Sequence, residues 1–358
     1  MNKYRYRVIF NRARGLLMAV AETATSQSKS SGETSAVSGR RRTPFSAAVK
    51  PLTFLVWSLL GMVITPAASA QIIADQTAPG NQRPTVLAAP NNVPLVNIQT
   101  PSAAGVSRNT YRRFDVQQQG AILNNSRASV QTQLGGWVQG NPWLATGSAR
   151  VILNEVNSSN PSLLRGYVEV AGQRAQVVIA NPAGVSCDGC GFINANRATL
   201  TTGAPIFNGG NLEGYRVQGG SVTISGNGMD ASTTDYTDLI ARAVQINAGI
   251  WANQLKVVAG ANQVSVDPAS GETSVTGQIA GAGAAPAFAI DSAQLGGMYA
   301  GKITLLATES GVGVRNAGTL YAGVGDVVIT AHGQLQNAGQ ITGDGHARID
   351  TQNGILNT

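Results

Sequence analysis

The sequence predicts an all-β protein built as a solenoid, and three observations support that fold class. Short apolar runs rich in Val, Ile, Leu and Thr recur between residues 96 and 358, each bounded by Gly or Asn, which is typical of β-strands. No long stretch of this region shows helical periodicity. The segment VRNAGTL at residues 314–320 returns as LQNAGQI at residues 335–341. A period of about 20 residues indicates coils that bury their apolar faces against one another.

A right-handed parallel β-helix is the solenoid that fits this repeat. Its coils rise by about the strand spacing of 4.8 Å, so inward Val, Ile and Leu side chains form stacked columns. Asparagines at equivalent positions can stack into amide ladders. Leucine-rich repeats have a similar period but need a denser Leu frame, and a β-sandwich would show no sequence recurrence. A third copy begins at Leu356, so we expect a truncated gene or a partial reading frame.

Three segments are expected to depart from the regular coils. Residues 71–99 contain four prolines, which predicts extended, irregular chain with at most short edge strands. Residues 167–179 alternate in hydropathy on both sides of Gly172, which is typical of an antiparallel hairpin. Residues 271–289 interrupt the repeat and predict an excursion or loop. The β-helix should therefore carry small antiparallel hairpins outside its coils.

The basic character of the chain is confined to its N-terminal leader, residues 1–70. The whole chain has a net charge of +7 and a pI near 9.7. Residues 1–70 hold ten Lys or Arg against two Glu, whereas the remaining residues hold fifteen basic and sixteen acidic side chains. The body of the protein therefore lacks the charge that a nucleic-acid-binding surface requires.

This basic leader has the composition of an export signal. An uncharged apolar run at residues 51–64 follows Lys50 and the arginines at 40–42, and Ala68 and Ala70 precede Gln71. These small residues predict cleavage by signal peptidase between Ala70 and Gln71. A membrane anchor is disfavoured because a span needs roughly 20 apolar residues. Twin-arginine export remains an alternative suggested by the arginine cluster.

Two Asn-Pro motifs mark turns in the body of the chain. Asn141 and Pro142 precede Trp143 and Leu144, and a second run at residues 181–185 reads NPAGV. Asn favours the first position of a β-turn, and Pro presets φ for the second position. The second motif runs into CDGCGF at residues 187–192.

Together these residues resemble the N-terminal secretion domain of two-partner secretion exoproteins, which include filamentous haemagglutinins, haemolysins and contact-dependent growth inhibition proteins. The family motifs are N-P-N-L and N-P-N-G-[IL], and many members continue with C-D-G-C-G-F. Trp143 and Ala183 stand where the family usually has Asn. The resemblance covers about residues 106–203, and residues 1–15 are similar to the extended signal peptide region of large exoproteins. The resemblance implies that secretion depends on the following residues: Asn141, Pro142, Leu144, Asn181, Pro182 and Gly184.

Cys187 and Cys190 are three residues apart in a chain with an export signal. A redox pair, half a metal site and a small disulfide loop all have this spacing. A zinc site needs four ligands, and His332 and His346 lie far along the sequence. A thioredoxin-like context is lacking. A disulfide between the two cysteines suits the oxidising periplasm.

Catalytic motifs do not occur in the sequence. It contains no G-x-S-x-G, Walker or dinucleotide-binding glycine pattern. His332 and His346 lie inside repeat units, where solvated positions explain them. We therefore expect no enzymatic activity, no metal and no cofactor. A β-helical carbohydrate-active enzyme, such as a polysaccharide lyase, is the main alternative, and a surface adhesin that needs no partner is the second.

The resemblance implies a division of the chain and a route of export. Residues 1–70 would be removed, residues 71–300 would form the secretion domain, and residues 301–358 would begin the haemagglutinin-type repeats. A dedicated outer-membrane β-barrel transporter would recognise the domain through its periplasmic domains, and the monomeric chain would fold outside a Gram-negative cell. The whole exoprotein would be an adhesin, a haemolysin or a toxin carrier.

Overall fold

The computed structural model describes residues 6–11, 16–21 and 72–358. The chain divides into two compact units, Met1–Ile64 and Thr65–Thr358. The described part of the first unit is an antiparallel pair of strands, β1 (Tyr6–Asn11) and β2 (Leu16–Ala21). The apolar run at residues 51–64 and the expected cleavage site at Ala70 and Gln71 lie outside the described residues. Within the described ranges, no helix has the length and apolar character that a membrane span requires.

The second unit consists of β-strands with two short 3-10 helices, Gly80–Gln82 and Pro142–Leu144. The strands of its first part are β3 (Ile72–Ala74), β4 (Thr85–Ala88), β5 (Pro94–Asn97), β6 (Val106–Phe114), β7 (Ala121–Asn125), β8 (Val130–Thr132), β9 (Gly136–Val138), β10 (Val151–Val156), β11 (Ser162–Leu164), β12 (Tyr167–Gly172), β13 (Ala175–Ala180), β14 (Val185–Ile193), β15 (Ala195–Thr201), β16 (Ala204–Asn208) and β17 (Asn211–Val217). The later strands are β18 (Ser221–Ala231), β19 (Tyr236–Ala241), β20 (Ala243–Ile246), β21 (Gly249–Ala259), β22 (Asn262–Val266), β23 (Thr273–Gln278), β24 (Phe288–Ser292), β25 (Gly297–Ala307), β26 (Gly313–Asn316), β27 (Thr319–Ala322), β28 (Val327–Ala331), β29 (Leu335–Asn337), β30 (Gln340–Gly343), β31 (Ala347–Thr351) and β32 (Ile355–Asn357).

Three parallel faces run along the solenoid, which confirms the predicted β-helix. Face A contains β5, β7, β12, β27, β30 and parts of β14, β18, β21 and β25. Face B contains β6, β10, β13, β15, β19, β28, β31 and the second parts of β21 and β25. Face C contains β11, β20, β24, β26, β29, β32 and the first parts of β14 and β18. The chain visits face C, face A and face B in turn, once per coil.

Inward side chains stack in register from coil to coil and form the main core. One such column on face B joins Ile179, Leu200, Leu239, Val257, Leu305, Ile329 and Ile349. All but the last are fully or almost fully buried. Burial of each large aliphatic side chain contributes about 1.5–3 kcal/mol, and in a solenoid only the neighbouring coils supply that burial.

The repeat identified in the sequence corresponds to one coil. Asn316 aligns with Asn337, which aligns with Asn357. The Asn316 Nδ2 donates to Asn337 Oδ1 at 2.8 Å, and the Asn337 Nδ2 donates to Asn357 Oδ1 at 2.7 Å. This is the amide ladder that the recurrence predicted.

An antiparallel sheet of four strands, in the order β16-β17-β22-β23, lies over the outside of face B. Its side chains Leu212, Tyr215 and Val264 form a second core with outward residues of face B such as Leu153 and Val178. β22 and β23 belong to an insertion between β21 and β24. The excursion expected at residues 271–289 covers β23 and the chain that follows it, but the insertion begins earlier, with β22. The hairpin of β8 and β9 packs in a third, smaller cluster beside β7.

The hairpin predicted at residues 167–179 is wrong. β12 pairs in parallel with β7 and β14, and β13 pairs in parallel with β10 and β15. Every residue of β13 is buried, because Val177 and Ile179 face the main core while Val178 and Ala180 face the outer sheet. Gly172 has φ +79, a conformation that serves a solenoid corner as well as a hairpin turn. The turn residue therefore could not distinguish the two.

Two fully buried tyrosines provide a matched test of this packing. The Tyr111 hydroxyl donates to Asn154 Oδ1 at 3.0 Å, whereas the Tyr215 hydroxyl has no hydrogen-bond partner among the described residues. Burial raises the pKa of both phenols.

We expect Tyr215→Phe to leave the free energy of unfolding unchanged or to raise it by about 1 kcal/mol, because it removes an unpaired polar group. Tyr111→Phe should lower it by about 1–3 kcal/mol, because Asn154 loses its donor. Urea unfolding of both variants measures this, and equal losses would contradict the assignment.

Candidate functional site

The first Asn-Pro motif forms a corner closed by the side chain of Asn141. Its Oδ1 accepts a hydrogen bond from the backbone N–H of Trp143 at 3.0 Å, an arrangement that caps the 3-10 helix Pro142–Leu144. Its Nδ2 donates to the carbonyl oxygens of Ile98 and Asn124, each at 2.9 Å. Asn141 is 3% exposed. This one side chain therefore shapes the turn and also pairs two backbone carbonyls, one just after β5 and one in β7.

The other side chains of this turn point in opposite directions. Leu144 is buried in the main core, so it holds the corner against the solenoid. Trp143 is 45% exposed, and its Nε1 donates to Thr85 Oγ1 at 3.2 Å. Its carbonyl accepts from Thr100 Oγ1 at 2.7 Å. Trp143 thus lies on the surface beside the N-terminal strands.

The second Asn-Pro motif repeats the arrangement between β13 and β14. Asn181 Oδ1 accepts from the backbone N–H of Ala183 at 3.0 Å. Its Nδ2 donates to the carbonyl of Asn160 and to Ser162 Oγ, each at 3.0 Å. Gly184 has φ +127, and its N–H closes the turn on the carbonyl of Asn181 at 2.9 Å. Asn181 is completely buried. The two motifs share no hydrogen-bond partner, so they close separate corners.

These contacts explain why Trp143 and Ala183 can occupy the third position of the motifs. In both turns the third residue contributes its backbone N–H to the Asn side chain. Any residue that carries a backbone N–H can therefore close the turn. The first residue cannot be exchanged in the same way, because its amide provides the acceptor for the turn and the donor for neighbouring strands.

The same use of asparagine occurs at corners that carry no Asn-Pro motif. Asn125, Asn194 and Asn253 each donate through Nδ2 to two backbone carbonyls, at distances between 2.7 and 3.0 Å. Asn125 connects three segments, since its acceptors are Ala149 and Gln173. Sequence reasoning missed these residues, because the acceptors lie 19 to 48 positions away along the chain. For Asn125, the position at the end of an apolar run and before a turn was the available signal.

Cys187 and Cys190 are joined by a disulfide in the structure, with their Cα atoms 5.3 Å apart. The pair lies in β14, where the strand passes from face C to face A. Both sulfurs belong to buried residues of the main core. Gly189 has φ +79, which permits the tight loop between them. The disulfide therefore fixes a corner of the solenoid and carries no exposed thiol.

Charged groups of the groove beside the outer sheet serve to attach that sheet. A groove of about 550 Å³ on face B is lined partly by Arg197, Asp238 and Lys256. Arg197 Nη1 lies 2.6 Å from Asp238 Oδ2, and both side chains are buried. Burial raises the pKa of Asp238, and the positive charge of Arg197 opposes that shift. The Lys256 Nζ donates to the carbonyl of Thr273 on β23. The Lys256–Thr273 hydrogen bond therefore holds the outer sheet on the solenoid, while Arg197 and Asp238 join two strands of face B.

The histidines and acidic residues do not converge on a reaction centre in the described part of the chain. His332 lies beside Gln278, with Nδ1 2.9 Å from Nε2, and His346 lies near Asp326 on the surface. Residues 72–358 contain no group of three His, Cys, Asp or Glu side chains arranged to hold a metal ion. The features that stand out are thus the Asn-closed corners and the disulfide.

Comparison with known proteins gives two family matches. A family model described as the TPS secretion domain matches residues 70–341. A second, described as the Extended Signal Peptide of the Type V secretion system, matches residues 1–50. The crystal structure of a filamentous hemagglutinin secretion domain superposes with a TM-score of 0.64 at 34% identity, covering 80% of this chain and 99% of that one.

Two curated relatives are much longer than this chain. The protein named Toxin CdiA of Yersinia pestis is 54% identical over 358 residues, which is 100% of this chain and 11% of the relative. The protein named tRNA nuclease CdiA-2 of Burkholderia pseudomallei (strain 1026b) is 47% identical over 341 residues, which is 95% of this chain and 11% of the relative. The chain therefore spans about a tenth of the length of these relatives.

The state of the two cysteines can be tested on exported material. We expect neither thiol to react with an alkylating reagent before reduction, because Cys187 and Cys190 are bonded to each other in an oxidising compartment. Replacing both by Ser should cost only modest stability, since the closed loop is short. Mass spectrometry after alkylation with and without reductant measures the state. Modification of both cysteines in the unreduced protein would contradict the disulfide.

Proposed function

The chain belongs to the family of two-partner secretion domains preceded by an extended signal peptide, and from this membership we propose that it directs the export of a larger exoprotein. The family's route passes through the periplasm to the surface or exterior of Gram-negative bacteria. The partner in this proposal is a dedicated outer-membrane transporter that recognises the chain through its periplasmic domains. The closed asparagine corners at the two family motifs are the observation that carries the proposal.

The division of the chain is part of the same proposal. Residues 1–70 would be removed between Ala70 and Gln71. Residues 71–300 would be the secretion domain, and residues 301–358 would be the first repeats of the exported body. β25 crosses residue 300 without interruption, so folding of the secretion domain would continue directly into the coils that follow.

Burial of the motif asparagines suggests when the transporter would act. Asn141 and Asn181 are 3% and 0% exposed, and their side-chain amides are bonded to protein groups. A transporter would reach them only while the chain is extended. The motifs would therefore serve twice, first as exposed recognition elements during export and then as corner locks in the folded coil.

Folding outside the cell would then favour forward movement of the chain. Each coil buries its inward side chains against the coil before it, as in the column from Ile179 to Ile349. Every new coil adds about 1.5–3 kcal/mol for each large side chain it buries. Backward sliding would require that coil to unfold. The proposal needs no nucleotide on the outer side of the membrane.

We further propose that this segment has no catalytic role of its own. A nuclease activity is part of one relative's name, and this chain matches 11% of that relative's length. The charged pairs of the described residues, such as Arg197 with Asp238, bind each other and hold packed segments together. In this proposal, the activity of the whole exoprotein, whether adhesion, lysis of cells or delivery of a toxin, would reside in parts beyond the secretion domain.

The proposal is tested by separating recognition from stability. The double variant Asn141→Ala, Pro142→Ala leaves the carbonyls of Ile98 and Asn124 without their donor, which should cost about 1–3 kcal/mol. Leu305→Ala, in a later coil, serves as the control and should cost about 2–5 kcal/mol. We expect the double variant to accumulate in the periplasm while Leu305→Ala is secreted, although the control melts at the lower temperature. Secreted and periplasmic amounts and melting temperatures are measured for each protein.

Two outcomes of this experiment contradict the proposal. Normal secretion of the double variant would show that the transporter does not need this motif for recognition. If secretion of both variants fell in proportion to the decrease in their melting temperatures, folding stability alone would explain the loss of secretion.

A further inference from the structure

Aromatic side chains form a continuous row on the outside of face A. Trp251, Tyr299 and Tyr321 occupy the same register position on β21, β25 and β27. They are 47%, 37% and 39% exposed, respectively. The rings of Trp251 and Tyr299 are nearly parallel, with centroids 6.1 Å apart. Large exposed aromatic groups in a row are unusual on a soluble surface and mark binding sites.

The row continues with polar side chains at both ends. On one side Trp251 is preceded in register by Asp230, which accepts a hydrogen bond from the hydroxyl of Tyr167 at 2.7 Å. On the other side Tyr321 is followed by Thr342. The Tyr321 hydroxyl also lies 3.4 Å from the carboxylate of Asp344. From Asp230 to Thr342 the row crosses four coil steps, roughly 19 Å at the strand spacing.

Glycines beside the row leave the rings accessible. A Cβ on Gly249 would lie 2.6–3.2 Å from three atoms of the Trp251 ring, and one on Gly297 would lie 2.7–3.0 Å from three atoms of Tyr299. Gly323 follows Tyr321 by two residues instead of preceding it, and a Cβ there would lie 3.2–3.5 Å from three atoms of Tyr321, so this ring leans the opposite way along its strand from the other two. The rings therefore lean along their strands over positions without side chains. This produces a shallow, narrow strip, the aromatic strip, made of Trp251, Tyr299 and Tyr321.

The charge of the strip and its surroundings restricts the ligand. The acidic groups at its two ends are Asp230 and Asp344, and the neighbouring row of the same face holds Gly249, Gly297, Thr319 and Gln340. Neither row contains a basic side chain, and the one basic residue of β25 is Lys302, three positions beyond Tyr299. Carboxylates repel an anionic ligand such as a nucleic acid or an acidic lipid. They accept hydrogen bonds from hydroxyl groups.

The backbone of the strip restricts the ligand further. β21 pairs with β18 and β25, and β27 pairs with β25 and β30, so the strands beneath the rings are hydrogen-bonded on both sides. A peptide laid along the strip would find no backbone groups with which to pair its own amides. Three side chains are also far fewer than the roughly 20–30 residues a side of a standard protein interface.

We propose that the aromatic strip binds a neutral oligosaccharide chain lying along the axis of the solenoid. The apolar C–H faces of the sugar rings would pack on Trp251, Tyr299 and Tyr321, and hydroxyl groups would donate to Asp230 and Asp344. This site is independent of the secretion motifs, which lie at other corners. It would give the exported domain a weak affinity for surface glycans.

The test uses the exported chain and three neutral probes, maltohexaose, cellohexaose and chitohexaose, with hexalysine and heparin as charged comparisons. Calorimetry should detect binding of at least one neutral probe. Trp251→Ala should weaken it by about tenfold or more, and Trp251→Tyr should retain most of it because an aromatic face remains. Trp137→Ala is the matched control, since Trp137 is 66% exposed on β9, away from the strip, and should change binding by less than about twofold.

Melting temperatures of the three variants identify any loss of binding that comes from unfolding. The proposal is overturned if no neutral probe binds, if Trp137→Ala weakens binding as much as Trp251→Ala, or if hexalysine or heparin binds the strip in place of the neutral probes.

Discussion

The hydrogen bonds that asparagine side chains donate to backbone carbonyls at the corners are the interaction on which this solenoid depends. Parallel stacking satisfies the backbone groups within each face, but the chain must leave the ladder wherever it turns. A buried carbonyl left unpaired at such a corner costs about 1–3 kcal/mol. Asn125, Asn141 and Asn194 each supply two donors to such carbonyls. The corners therefore hold neighbouring coils at fixed register, and the inward columns can stack.

This arrangement links the family motifs to the physical requirements of export. In the proposed route the chain crosses the outer membrane in an extended state, so it displays the asparagines that the folded coil buries. Asn181, at the corner between β13 and β14, is fully buried in the folded protein. Since each coil contacts only its neighbours, folding can advance one coil at a time. The disulfide between Cys187 and Cys190, the Arg197–Asp238 pair that joins β15 to β19, and the outer sheet bonded through Lys256 reinforce the coils that they contact.

The fold was predictable because the period of the repeat at residues 314–341 equals the length of one coil. The registers of β26 with β29 and of β27 with β30 confirm that coil length. The hairpin expected at residues 167–179 was wrong because Gly172 serves a corner and a turn equally well. The Asn-Pro positions were identified by resemblance, and their turn geometry followed from local chemistry. Their acceptors, such as Ile98 for Asn141, could not be predicted, because they depend on which strands stack. The aromatic strip is likewise visible only after Trp251 and Tyr299, which are distant in the sequence, are placed in register.

Hydrogen exchange of backbone amides in an Asn125→Ala variant tests the central claim most directly. Asn125 is fully buried, and its side chain joins β7 to Ala149, just before β10 of the same coil, and to Gln173 of the next coil. If the corner amides hold neighbouring coils together, exchange should accelerate in β7, β10, β12 and β13, while β28 to β31 keep their protection. Unchanged protection next to Asn125, or an equal loss throughout the solenoid, would contradict the account.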